Sequence, residues 1–152
     1  MNDRVIVVSA LIMNRDGKVL MAKRPIDKVL PGQWELPGGK VDLGESEHAA
    51  LKREVQEELD LRVSVGRLIS TAAFTWDARV HMLLYECVAL IPHRTAKPLA
   101  STRLDWCDPA YMSRHYPCCP SLFSWFTDIQ DHLDSNEGLC SDVTIDNSMR
   151  ES

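Results

Sequence analysis

The sequence has no apolar run long enough to cross a membrane and no excess of basic charge. A membrane-spanning helix needs roughly 18 or more consecutive apolar residues, and the apolar stretches between charged residues are shorter than that. The 17 lysine and arginine residues are outnumbered by 22 aspartate and glutamate residues, which gives a net charge of −5. We therefore expect neither a membrane partner nor a broad basic face that holds a long nucleic acid.

The cysteines form no C-x-x-C pair. Cys118 and Cys119 are adjacent, which suits neither a common disulfide nor a zinc site, and the full set is odd: Cys87, Cys107, Cys118, Cys119 and Cys140. We interpret them as reduced thiols of a cytoplasmic protein. The apolar N-terminal stretch contains Asp3 and ends at the turn sequence 14–17, so it is interpreted as a strand and not as a secretion signal.

What is present fits one soluble domain. The 152 residues are 45% apolar and 26% charged, ordinary values for a globular protein with a single core. From Asp134 onward the chain carries five acids and one base. We predict a domain over residues 1–133 and a polar, acidic and flexible tail over residues 134–152.

The order of apolar patterns predicts strands around a helix. Runs rich in Val and Ile alternate with turn sequences, and a helix capped by Ser46 follows the Pro-Gly-Gly turn. A hairpin turn is predicted at Asp77-Ala78. The predicted strands are 4–13, 18–24, 62–76, 79–91 and 104–106, and the helical segments are 46–59, 109–114 and 120–133. This order predicts an α/β (α+β) fold, an α/β/α sandwich with a mixed β-sheet.

Three glutamates share one face of the predicted helix 46–59. At 100° per residue, Glu54, Glu57 and Glu58 lie beside the apolar stripe of Leu51, Val55 and Leu59. Clustered carboxylates repel one another, and a magnesium ion, which binds hard oxygen ligands, relieves that repulsion. A solvated acidic face without a metal is the other interpretation of three glutamates alone.

The flanking residues favour the metal. Gly38-Gly39 permits close approach of the backbone to an ion or a phosphate, and Glu45 stands just before the helix. Arg53 lies about one helical turn from Glu57, where a guanidinium can orient a carboxylate through two hydrogen bonds.

These residues together resemble the Nudix box, and the run from Met21 to Gly39 resembles the MutT-like branch of that family. Residues 39–61 match the box at eight of nine positions: Gly39, Glu45, Arg53, Glu54, Val55, Glu57, Glu58 and Leu61. Asp60 stands where the family has Gly, at a position that often needs a left-handed φ, so we expect some lost stability and little lost chemistry.

The resemblance implies a hydrolase that cuts nucleoside triphosphates, or related diphosphates, into a monophosphate and pyrophosphate. Mg²⁺, or Mn²⁺ as a substitute, would be held by Glu54, Glu57, Glu58 and the Gly38 carbonyl, and it would neutralise phosphate charge and activate water. Glu45 and Arg53 would brace the loop against the helix. The residues expected at the substrate are Arg24, Leu36 and Gly39.

Two departures from the family leave the base and the substrate open. The family often carries a Glu about six residues before a Trp, and here Ala100 takes that place, so Asp105, Glu57 or Glu54 are the remaining candidates for the base. No Asn occurs in residues 116–121, which weakens the interpretation as an oxidised-guanine enzyme. A nucleotide-sugar or dinucleotide hydrolase, and a weakly active nucleotide-binding regulator, remain alternatives.

The protein is expected to be a monomer or a homodimer. Four aromatic residues could stack on a base or belong to the core: Trp34, Phe74, Trp76 and Tyr116.

Overall fold

The computed structural model describes residues 4–74, 77–92, 94–135 and 140–148. Within these ranges the helices are α1 (Glu47–Leu59), α2 (Pro109–His115) and α3 (Pro120–Ser135). The strands are β1 (Val5–Leu11), β2 (Val19–Lys23), β3 (Trp34–Glu35), β4 (Gly38–Lys40), β5 (Val63–Phe74), β6 (Asp77–Ala89), β7 (Arg94–Ala96), β8 (Arg103–Cys107) and β9 (Val143–Ile145). No helix in the described ranges is both long and apolar enough to span a membrane.

The strands form one mixed sheet and two smaller sheets. The four-stranded sheet has the order β4-β1-β6-β5, in which β1 runs parallel to β6 and the other pairs are antiparallel. A three-stranded antiparallel sheet has the order β3-β2-β8, and β7 pairs with β9 in parallel. The expected mixed sheet is therefore confirmed.

Alternate residues of β1 and the segment after it belong to two different cores. Val8, Ala10 and Ile12 pack with the buried residues of α1, whereas Leu11 and Met13 pack with those of α2 and α3. Because successive side chains of a strand point to opposite faces, the sheet is covered by α1 on one face and by α2 and α3 on the other. This confirms the α/β/α sandwich.

Helix α1 begins and ends as its sequence predicts. The Ser46 side chain accepts a hydrogen bond from the backbone N–H of Ala49 at 3.1 Å, and Asp60 ends the helix with a left-handed φ of 55°. The predicted apolar stripe, Leu51, Val55 and Leu59, is buried, and each of its leucines contributes about 2 kcal/mol through burial. The acidic face of α1 is thereby fixed relative to the sheet.

The predicted hairpin is confirmed by the antiparallel pairing of β5 with β6. The predicted position of its turn, Asp77-Ala78, is wrong, because both residues belong to β6. Asp77 pairs with Phe74 across the ladder, and its carboxylate accepts the backbone N–H of Arg79 at 3.0 Å. Because of these bonds, β6 begins at Asp77, before the predicted start of the strand at Arg79. The aromatic candidate Trp76 lies outside the described residues.

Part of the predicted tail is folded onto the domain, which differs from the sequence-based expectation. Val143 in β9 is buried in the core around α1, and the Ser141 hydroxyl accepts the Ala89 N–H at 3.0 Å. Strands β7 and β9 are distant in sequence and have only three residues each. Their pairing therefore produces no apolar periodicity from which it could be predicted. The domain limit at residue 133 stays a prediction.

Candidate active site

Arg53 is the centre of an ionic network on the acidic face of α1. Its Nε and Nη2 donate to the two carboxylate oxygens of Glu45 at 2.8 and 2.9 Å. Its Nη1 donates to Glu54 at 3.0 Å and to Glu57 at 3.3 Å, and Nη2 also donates to the carbonyl of Lys40 at 3.1 Å. One guanidinium therefore joins the strand, the loop and the helix of this site.

Glu45 fastens the loop between β4 and α1. The hydrogen bonds from Arg53 and then from the Asp42 N–H lower the pKa of the Glu45 carboxyl to about 2, and the same pair raises the pKa of Arg53. Both partners are therefore charged at neutral pH. The structure brings Glu45 and Arg53 together in the geometry that a bracing role requires.

Glu58 lies deeper than the other two acids of the predicted metal face. It accepts a hydrogen bond from the Gly38 N–H at 3.0 Å. Burial raises its pKa to about 8, and the nearby charges of Glu54, Glu35 and Glu57 add to the shift although the Gly38 bond opposes it. Burial likewise raises the pKa of Glu54. Negative charge is therefore crowded at this end of α1.

The two glycines are required by close approach of other atoms. A Cβ at Gly38 would overlap the carbonyl oxygen of Val8, and a Cβ at Gly39 would overlap the carboxylate of Glu54. Glycine at position 39 therefore creates the space in which the Glu54 carboxylate lies beside the backbone.

The donor set fits a divalent metal. Three glutamates and a backbone carbonyl are the hard oxygen ligands that Mg²⁺ prefers. A dication would offset the neighbouring carboxylate charges, which add to the effect of burial in raising the pKa of Glu58. In the described part of the chain, however, no three acidic, histidine or cysteine side chains converge on one point. Glu54 and Glu57 are bonded to Arg53 instead, and Glu58 is bonded to Gly38. The assignment of these ligands stays a prediction.

A cavity of about 60 Å³ adjoins this face at Gly38. Its walls include Glu35, Leu36, Met82 and Trp125. Trp125 is 2% exposed, and its indole Nε1–H has no hydrogen-bond partner in the structure. A buried donor without a partner is costly, and the residue that carries it, Trp125, lines the cavity.

Arg24 lies against the same cavity wall. Its Nη1 donates to Glu35 at 2.9 Å and its Nε donates to the Val29 carbonyl at 2.6 Å. Burial raises the pKa of Glu35 and the charge of Arg24 opposes the shift; the Cys119 thiol also donates to Glu35 at 3.8 Å. Leu36 lines the cavity. The contacts of Leu36 with substrate and of Arg24 with phosphate stay predictions.

Other residues considered for the catalytic base or for stacking on a nucleotide base have different surroundings. Ala100 is exposed, and Asp105 accepts the N–H of Trp106 at 2.9 Å. Trp34 is a core residue with 6% exposure, and its ring lies 5.7 Å from that of Tyr116.

Sequence reasoning missed two cavity residues, Glu35 and Trp125. Glu35 had a signal, because an acid between Trp34 and Leu36 in a short apolar strand is unusual. Trp125 had none, because its spacing in α3 also fits a core position.

Comparison with known proteins agrees with this geometry. A family model described as the NUDIX domain matches residues 3–114. The CTP pyrophosphohydrolase of Escherichia coli (strain K12) is 34% identical over 119 residues, which cover 78% of this chain and 86% of that protein. A putative 8-oxo-dGTP diphosphatase 2 of Mycobacterium tuberculosis (strain CDC 1551 / Oshkosh) is 48% identical over 64 residues, which cover 42% of this chain and 44% of that protein.

Solved structures give the same result. The E. coli ORF135 protein has a TM-score of 0.71 at 30% identity and covers 89% of this chain and 94% of its own. The MutT protein from Methanosarcina mazei Go1 has a TM-score of 0.71 at 24% identity, and the match covers 88% of this chain and 96% of that protein. This likeness shows the fold alone. Nudix hydrolases generally use a divalent metal, in keeping with the donor set on α1. The domain match and the relatives bear out the resemblance of the box, and the chain belongs to the Nudix family of hydrolases.

Proposed function

We propose that this protein hydrolyses a diphosphate linkage of free nucleoside triphosphates, releasing a monophosphate and pyrophosphate, with Mg²⁺ as its metal and Mn²⁺ as a substitute. The observation that carries the proposal is that Gly38 belongs to both parts of the site. Its N–H contacts Glu58 of the acidic face, and it lines the cavity with the unpaired Trp125 indole. A phosphate chain and a base attached to it would occupy adjoining places.

Glu54, Glu57 and Glu58, with the Gly38 carbonyl, hold the metal in this proposal. When bound, the metal neutralises charge on the phosphates and lowers the pKa of a water molecule. Arg53 orients Glu54 and Glu57 through its Nη1. The Glu57 side chain is 58% exposed and the Glu54 side chain 16%, so Glu57 is the better placed of the two to exchange a proton with solvent and to serve as the base.

The cavity favours a base that carries both a carbonyl and an amino group. The Trp125 Nε1–H donates to the carbonyl oxygen, and the Glu35 carboxylate accepts from the amino group. Cytosine and guanine both have these groups, and cytosine is the smaller of the two. The relative named CTP pyrophosphohydrolase supports the same choice. We therefore place CTP and dCTP first among the substrates.

A second candidate is a nucleotide-binding regulator with weak turnover. It is favoured by one observation, the exposed Ala100 at the place where the family often has an acid. The reduced thiols, of which Cys140 is half-buried and the other four are buried, support a cytoplasmic location. The protein acts as a monomer or a homodimer in this proposal.

The test is a panel of CTP, dCTP, the other nucleoside triphosphates, oxidised nucleotides and a nucleotide sugar, each incubated with Mg²⁺. Chromatography of the monophosphate and pyrophosphate identifies the bond that is cut. Binding of CTP with no pyrophosphate released from any compound would favour the regulator and contradict the hydrolase.

The companion variant is Glu57→Gln, with Glu47→Gln on the same helix as the matched control. Loss of a charged group at the metal face should lower kcat by about 10²- to 10³-fold without changing the circular dichroism spectrum. Glu47, which bonds to Tyr85, should tolerate the change with near-normal turnover. Unchanged turnover in Glu57→Gln would mean that the metal face lies elsewhere.

A further inference from the structure

Residues 140–148, here called the C-terminal strap, hold one flank of the loop 97–102. Strand β9 in the strap pairs with β7, Arg94 opposite Val143 and Ala96 opposite Ile145. The Asp146 N–H then donates to the Ala96 carbonyl at 2.9 Å. The loop therefore starts from a strand that the strap fixes.

Asn147 holds the other flank. Its Oδ1 accepts the Leu104 N–H at 2.8 Å and its Nδ2 donates to the Leu104 carbonyl at 3.1 Å. One amide side chain thus makes both bonds that a neighbouring strand would make to Leu104 in β8, a strand whose other side pairs with β2. Leu104 itself is fully buried, so the position of β8 at the end of the loop is closely defined.

Between these two anchors the loop contacts the carboxyl end of α1. The Lys97 N–H donates to the Leu59 carbonyl at 3.0 Å. The Leu99 N–H donates to the Glu58 carbonyl at 3.0 Å and also to the Lys97 carbonyl at 2.9 Å. The last carbonyls of a helix have no donor within the helix, so these two bonds set the position of its final turn. Glu58 lies in that turn. The Ser101 hydroxyl of the loop is buried and has no partner in the structure.

We propose that Asn147 is a positioning residue for hydrolysis, which acts through Leu104 and the loop 97–102 to fix Glu58 against Gly38. The inference rests on the proposed role of Glu58 as a metal ligand. It assigns a task in the reaction to a segment beyond residues 3–114, the part of the chain that the family model matches. If Asn147 only closed the edge of β8, its loss would affect stability and nothing at α1.

The experiment compares Asn147→Ala and Asn147→Asp with Thr144→Val, a control on the same strap that loses only an exposed bond to Thr95. Two quantities are measured at a temperature where circular dichroism shows every variant folded. The first is kcat and KM with CTP and Mg²⁺. The second is amide hydrogen exchange at Lys97 and Leu99.

Asn147→Ala should lower kcat roughly five- to tenfold, because small misplacements of catalytic groups are costly, with KM within about twofold of wild type. Exchange at the Lys97 and Leu99 amides should become faster, whereas amides of β1 and β6 stay protected. Asn147→Asp keeps the acceptor for the Leu104 N–H and should give intermediate values, so it serves if the alanine variant does not fold. Thr144→Val should behave as wild type.

A lower melting temperature with unchanged kcat and unchanged exchange at Leu99 would overturn the proposal. The exchange measurement needs no turnover. An inactive wild-type protein would therefore count against the proposed function. Unchanged amide exchange in Asn147→Ala would count against the positioning role of Asn147.

Discussion

Substitution of Gly39 by alanine should lower catalytic activity while leaving the fold intact. In Gly39→Ala the new Cβ overlaps the Glu54 carboxylate, the mobile end of a flexible side chain, so Glu54 moves and the fold remains. We expect kcat to fall by about 10- to 100-fold, and the Mg²⁺ concentration for half-maximal activity to rise. A magnesium titration of initial rates measures both.

Gly17→Ala is the matched control for this change. Gly17 has a φ of 72° with no atom within 4 Å of a Cβ, so alanine there costs about 1 kcal/mol of stability and no activity. Wild-type kcat in Gly39→Ala at every Mg²⁺ concentration would contradict the placement of Glu54 at the metal.

Glu45 gives the site a defined response to acid. Its pKa in the folded protein is about 2, below the ordinary value of 4.5, because Arg53 binds the charged form. A lowered pKa means that the stabilisation is present above pH 4.5 and is lost as the pH falls towards 2. Melting temperatures of wild type and Glu45→Gln should therefore differ most above about pH 5 and converge in acid. A difference that is constant over the whole range would disprove the pairing, and Glu47→Gln serves as the control.

At the scale of elements, the end of α1 carries a strain that a substitution can remove. Asp60 has a left-handed φ of 55°, which costs a residue with a Cβ about 1 kcal/mol relative to glycine. Asp60→Gly should raise the melting temperature by a few degrees. The two interactions it loses are weak, because the bond from Gln56 Nε2 at 2.9 Å is exposed and the Lys97 Nζ lies 3.9 Å away in a solvent-accessible ion pair. Turnover should not change. Asp60→Ala keeps the strain and should be less stable than wild type. Equal losses in both variants would show that the bonds of the Asp60 carboxylate with Gln56 and Lys97 dominate.

Elements with a repeating pattern could be predicted from the sequence, and elements made by distant pairing could not. The stripe of Leu51, Val55 and Leu59 specified α1 and its buried face because an amphipathic helix repeats every 3.6 residues. Strands β7 and β9 have three residues each, too few for a period to appear. They exist because Val143 reaches a core built by other segments.

The candidate site divides in the same way. Arg53 and its glutamates are close in sequence, so helix geometry and the box were enough to bring them together. Glu35 of β3 and Trp125 of α3 line one cavity although they are distant in sequence, which no local pattern encodes. Arg24 had an expected phosphate partner, and the structure adds Glu35 as a protein partner that the sequence did not reveal.

For the molecule as a whole, burial decides which thiols can react. Burial raises the pKa of Cys87, Cys107 and Cys119 to about 12 and that of Cys118 to about 11, whereas Cys140 is half-buried. Because the thiolate is the nucleophile, a disulfide reagent at neutral pH should label Cys140 quickly and the other four only after unfolding. Counting labelled thiols in native and denatured protein tests this. Cys140→Ser should abolish the rapid phase, and rapid labelling of several thiols in the native protein would contradict the described core.

The division of β1 between two cores has a consequence for how such a protein can diverge. Residues Val8 and Ala10 support the helix of the acidic face, whereas Leu11 packs with Trp125, whose indole lines the cavity. Under the proposed assignment of the cavity to the base, substitutions on the α3 side would alter which base is accepted while the helix that carries the glutamates stays undisturbed. Substrate choice would then depend on one face of β1 and bond cleavage on the other, so that each could change during evolution without the other.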